Sequence, residues 1–119
     1  MNDDILYMVK IYSTYDTDWL GDKFNDLSEL TRHHIVKKEH GGQDSIKNYA
    51  LLTRKSHSFI HYLEVNYNKE YNYLNSKFIE LNNSLTSPSI NYYEDVCKVV
   101  KRVRKKIKNN RRKREGKNV

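Results

Sequence analysis

The spacing of apolar residues changes several times along this chain, and each change marks an element. Ile5, Leu6, Met8, Val9 and Ile11 form a first apolar run, too short to settle its period and open to strand or helix. Trp19, Leu20 and Phe24 are expected on the core, with a turn at Gly21-Asp22. Residues 25–30 read as a short helical turn capped by Asn25 or Asp26. The β-branched residues of the 31–36 stretch predict a strand. Gly41-Gly42 and Asp44-Ser45 make 37–47 a loop, and residues 49–52 predict a second short strand. Thr53 is suited to cap a helix from Arg54 to about Val65. Tyr71, Leu74, Phe78 and Leu81 recur at steps of three and four and predict a helix over 68–82. Pro88 and its serines break the pattern. Tyr92, Val96, Val99, Val103 and Ile107 then stripe a last helix over 91–107. Its turns beyond Asn109-Asn110 lose the apolar stripe and are expected to fray without a partner. The order predicts an α+β fold: one domain over 1–107, and a basic C-terminal tail over 108–119.

Composition narrows the class. With 119 residues, 37% hydrophobic and 31% charged, the chain supports one apolar core within a polar periphery. No apolar run approaches the roughly 18 residues of a membrane span. The acidic start, Met1-Asn2-Asp3-Asp4, does not resemble a secretory signal. Cys97 is the one cysteine, so there is no internal disulfide and no C-x-x-C zinc ribbon; a small buried filler is the expected role. A cytoplasmic, intracellular protein is the simplest reading. The Asn, Lys, Ile and Tyr richness is a coding bias of an A·T-rich genome, and a bacterial or phage source fits.

The formal charge of +7 is unevenly placed. Residues 98–119 hold twelve Lys and Arg against Glu115 alone, a net +11, which leaves −4 on residues 1–97. A dense one-signed block on a mildly acidic body points to a polyanion, and nucleic acid is the expected partner. Lys101, Arg102, Lys105, Arg111 and Arg112 are candidates for phosphate contact, with Arg32, Arg54 and Lys55 nearer the middle of the chain. Such a helix suits RNA as well as DNA, or docking within a larger phage-like or restriction assembly. Nothing in it specifies a base sequence, an oligomeric state or a membrane contact.

The candidate chemistry lies in histidine. His57 and His61 are four apart and share a helical face, where two imidazoles can chelate one cation. His33 and His34 alternate on a strand and point to opposite sides, so one suits ligation and the other water or substrate. His40 reads as a loop side chain. Ten tyrosines could stack on bases, but Tyr71 and Tyr92 fit helix faces and are expected in or near the core. No Walker loop, dinucleotide fingerprint or Ser-His-Asp pattern is present.

Taken together, Leu30-Thr31-Arg32-His33-His34-Ile35, Gly41-Gly42, Asn48, Leu51-Leu52, His57 and His61 resemble the motif of the HNH endonucleases, the ββα-metal fold. Asn48 lies fourteen positions after His34, His57 nine after Asn48, and His61 four after His57, similar to the His-rich colicin-type subgroup. The resemblance covers residues 30–63 and implies a two-stranded hairpin plus helix, flanked here by additional helices. It implies His34 as general base and Asn48 as the catalytic-loop residue that braces the loop and holds that base. It implies His33, His57 and His61 as ligands of one divalent cation. Mg²⁺ or Mn²⁺ is expected in activity, while Zn²⁺ or Ni²⁺ binds three imidazoles more tightly. The activity implied is hydrolysis of DNA phosphodiesters, leaving 5′-phosphate and 3′-hydroxyl ends. Many relatives carry two C-x-x-C knuckles beside the motif; this chain has none, so its fold must rest on apolar packing. Two other readings stand beside this one: a catalytically silent nucleic-acid-binding or inhibitory module on the same fold, and a metal that only staples a small core.

Overall fold

A computed structural model describes the backbone over residues 3–117 and the side chains over residues 3–112. Met1, Asn2, Asn118 and Val119 do not enter the description, and neither do the side chains of Lys113, Arg114 and Lys117 that the tail's charge includes. In chain order the regular elements are α1 (Asp3–Tyr12), β1 (Leu30–His34), β2 (Tyr49–Thr53), α2 (Arg54–Asn66), α3 (Asn68–Ser84) and α4 (Ile90–Lys117). Short 3₁₀ turns occupy Leu27–Glu29, Lys38–His40 and Ile46–Asn48.

The first apolar run is a helix. Ile5, Met8, Val9 and Tyr12 are buried, the helical i, i+3, i+4, i+7 set. Asp3 and Asp4 in the first turn and Lys10 in the last suit the helix dipole. The segment after α1 threads back through the core. Trp19 is fully buried, sits edge-on to Tyr12 at 4.8 Å and bonds Thr14 through its indole N–H. Asp26 caps the turn at Leu27–Glu29 in a capping box with Glu29.

β1 and β2 pair antiparallel, with His33 opposite Ala50 and His34 opposite Tyr49. All five β2 residues are buried, while β1 is buried only at Leu30 and His33. Thr53 ends β2 and caps α2 by accepting from Ser56 N–H. Strand, strand and helix are thus consecutive, a ββα unit. Helix α3 covers it through Tyr71, Leu74, Phe78 and Leu81, and α4 packs through Tyr92, Val96, Val99, Val100 and Val103.

Helix α4 differs from the expected one in length. It continues through Lys117 without a break at Asn109-Asn110. Lys and Arg are good helix formers and no proline interrupts them, so loss of the stripe does not end the helix. Cys97 is half-buried rather than fully enclosed: its sulfur lies against the Gly21 turn, and the residue borders two surface hollows. Gly21 has φ +90°, and a Cβ built there would meet Cys97 Sγ at 2.7 Å, so a glycine meets both demands. Among the described residues, no helix is long and apolar enough to cross a membrane.

Candidate active site

Strand alternation and helix periodicity bring three histidines together. His33 points inward from β1 and is 2% exposed. His57 and His61 project from one face of α2 with their rings stacked at 4.7 Å. The His33 ring lies 5.5 Å from His57 and 6.2 Å from His61, edge-on to both. His34 points the other way, packs edge-on against Tyr49 at 5.2 Å and is half-exposed. All four nevertheless border one cleft of about 220 Å³, shared with Arg32, Lys37, Lys38 and Tyr71.

The hydrogen bonds assign the protons. Asn75 of α3 donates its amide N–H to the Ile35 carbonyl at 3.3 Å, which turns its oxygen toward His33 Nε2 at 3.0 Å. His33 therefore carries its proton on Nε2 and keeps the Nδ1 lone pair. Thr31 donates its one hydroxyl proton to the Leu52 carbonyl at 2.7 Å, so its oxygen accepts from His57 Nδ1–H at 2.8 Å. His57 is left with the Nε2 lone pair. His61 Nδ1 faces Glu64 at 3.9 Å. Burial, with the neighbouring imidazoles adding to it, lowers the pKa of His33 to about 4 and lowers that of His57. Both rings are neutral at pH 7, the form that donates a lone pair to a cation.

These residues fit a divalent ion in donor chemistry. Imidazole nitrogens about 2.0–2.1 Å from a tetrahedral metal put ring centres roughly 5 Å apart, close to the three separations found. Each ring of the His33 and His57 pair is anchored through one nitrogen with the other left over, the arrangement that orients a ligand. Among the described residues, however, no three His, Cys, Asp or Glu side chains stand already converged as a metal-holding set.

Asn48 is buried and works on the loop. Its side-chain oxygen accepts from Val36 N–H, and its amide donates to the carbonyls of Val36 and Gln43, all at 2.9 Å. The side chain hydrogen-bonded to His34 is instead Asp44, whose Oδ1 lies 3.0 Å from Nε2. Sequence reasoning did not single out Asp44, Thr31 or Asn75. Asp44 stood among loop residues, and Asn75 lies far along the chain on a helix read only for its apolar stripe.

The candidate cations divide into separate groups. Arg32 borders the histidine cleft and lies over the Tyr49 ring. Arg54 and Lys55 occupy the first turn of α2 and border a different hollow, with Asp22, Lys23, Glu29 and Thr53. Lys101 faces yet another, lined by Gly21, Asp22, Ser56 and Arg104. Arg102, Lys105, Arg111 and Arg112 are exposed on α4. Lys37 and Lys38, not singled out from sequence, reach the cleft; Lys37 pairs with Glu64 and Glu39, and Lys38 with Asp44.

Comparison with known proteins agrees with this geometry. Residues 21–63 match the family described as HNH endonuclease, a span that takes in the Gly21 turn, both strands and α2 as far as Leu63. No curated protein and no solved structure gives a match.

Proposed function

We propose that this chain, whose residues 21–63 match the HNH endonuclease family, is a metal-dependent endonuclease acting on DNA phosphodiester bonds. The observation that carries the reading is the single cleft where the His33, His57 and His61 rings adjoin an outward-facing His34. His33, His57 and His61 are the residues that would hold one divalent cation. When bound, that ion supplies Lewis-acid polarisation and charge neutralisation at the scissile phosphate.

The chain's own groups do the rest. His34 takes a proton from water, the water oxygen forms a bond to phosphorus as the bond to the 3′ oxygen breaks, and the departing 3′ oxygen takes a proton from solvent. The products are 5′-phosphate and 3′-hydroxyl ends, the polarity that the family resemblance implies. A general base of this kind contributes about 10²–10⁴-fold. Arg32, Lys37 and Lys38 at the rim supply positive charge for flanking phosphates. Asn48 keeps the loop closed behind the base.

Supercoiled plasmid tests the reading, with Mg²⁺, Mn²⁺, Zn²⁺ and Ni²⁺ against an EDTA control. The parent chain is expected to nick, and His34→Ala to slow at least about 100-fold while binding metal as before. His57→Ala and His61→Ala are expected to weaken metal binding in calorimetry. DNA binding in a gel shift with no nicking by any metal would instead favour the silent binding module.

A further inference from the structure

We propose that Asp44 is the positioning residue for His34, holding its ring with the proton on Nε2 and the Nδ1 lone pair left for water. This inference rests on His34 serving as the base.

The geometry comes from a chain of contacts around the loop. Asp44 Oδ1 lies 3.0 Å from His34 Nε2 and accepts the Tyr49 hydroxyl at 2.5 Å. An ionised carboxylate has no proton to give, so in this contact Nε2 must be the donor. The Tyr49 hydroxyl first, and the His34 contact next, hold the Asp44 carboxyl well below the usual carboxylate range, which keeps it in that acceptor form. Lys38 pairs with the other oxygen at 3.4 Å.

Tyr49 cannot easily move. It is 1% exposed, stands directly across the strand pair from His34, and packs its ring edge-on against that imidazole. Arg32 lies over the same ring and reaches the hydroxyl at 3.4 Å. The backbone beside Asp44 is fixed from the other direction. Asn48 donates to the carbonyl of Gln43, and the Ser45 side chain caps the following turn. The buried amide of Asn48 thus acts on His34 at one remove, through the loop that carries Asp44. A base whose second nitrogen is held by a carboxylate keeps one tautomer and one orientation, and the carboxylate also favours the imidazolium formed as the proton is taken.

Two readouts test this on the full chain. In the first, long-range ¹H–¹⁵N correlation of the metal-free protein at mildly alkaline pH reports the His34 tautomer, with His34→Asn identifying the signal. The parent is expected to show Nε2–H, Asp44→Ala a mixture, and Asp44→Asn, which keeps an acceptor oxygen, mostly Nε2–H. In the second, single-turnover nicking at saturating protein is expected to fall roughly 10- to 100-fold in Asp44→Ala, with DNA affinity within about twofold and partial recovery in Asp44→Asn. Tyr49→Phe keeps the buried ring, removes the hydroxyl and should slow nicking a few-fold, so the test survives if one variant folds poorly. An Nδ1–H tautomer in the parent, or an Asp44→Ala chain with parental tautomer and rate, overturns the proposal. A parent that nicks nothing overturns the nuclease reading and this role with it. A parent that nicks while Asp44→Ala matches it overturns this role alone.

Discussion

His33 packs on Phe78 of α3 and is hydrogen-bonded to that helix by Asn75, and the consequence of that bond is measurable. Asn75 reaches across from a helix outside the HNH match to hold His33 Nε2 and the Ile35 carbonyl together. Asn75→Ala leaves a buried imidazole N–H without its partner, which costs about 1–3 kcal/mol, and frees the ring to change tautomer. The expected results are a lower melting temperature for the metal-free chain and metal affinity weaker by about 10- to 100-fold, read by calorimetry with Zn²⁺. Unchanged metal affinity with a lowered melting temperature would make Asn75 a packing residue only. The four motif histidines were legible in the sequence because their spacing is short and follows strand and helix periods. Asn75, Thr31 and Asp44 were not, because a polar side chain's partner depends on tertiary placement. Asn75 meets His33 across 42 residues, and nothing in the local pattern of α3 distinguishes it from its neighbouring asparagines.

Asp18 ties several elements together in the same way. It is fully buried, and its oxygens accept from the N–H groups of Leu20, Asp22 and Thr53 at 2.8–2.9 Å. Asp22 in turn accepts the Thr53 hydroxyl at 2.9 Å. The turn at Gly21 is thereby joined to the point where β2 becomes α2, which sets the start of the helix that presents His57 and His61. Asp18→Ala takes the acceptor from the buried N–H groups of Leu20 and Thr53 and the part-buried N–H of Asp22, and a destabilisation of about 2–5 kcal/mol is expected in urea unfolding. A value under about 1 kcal/mol would mean that water replaces the carboxylate. Element type was mostly readable: the strand pair, the Thr53 cap and the stripes of α3 and α4 follow directly from period and turn chemistry. The first run stayed ambiguous because the exposed Leu6 adds an apolar residue off the buried face of α1, blurring a helical period that burial makes plain. Asp18 gave no signal, since its partners are backbone groups that every sequence supplies.

Across the whole molecule, the cleft and the basic helix occupy different faces of α2. His57 and His61 look toward β1, while Phe59 lies under Arg104 of α4, and Ser56 borders the hollow with Lys101. A nucleic acid held by both surfaces must therefore pass over α2 from the rim cations Arg32, Lys37 and Lys38 to the exposed side of α4. The apolar anchorage of α4 ends with Val103 and the half-buried Ile107. Truncation before Lys108 thus removes Lys108, Arg111, Arg112, Lys113, Arg114 and Lys117 while keeping every one of those apolar anchors. Binding to duplex DNA is expected to weaken, with a salt dependence shallower by about 0.9 in log–log slope for each phosphate that the shortened chain no longer neutralises. The melting temperature and the nicking rate at saturating DNA should stay near parental values, because none of the described side chains among the deleted residues lines the histidine cleft. Equal affinity and slope in the truncated chain would assign phosphate binding to the cleft rim instead, and the density of charge on α4 would then serve something other than this substrate.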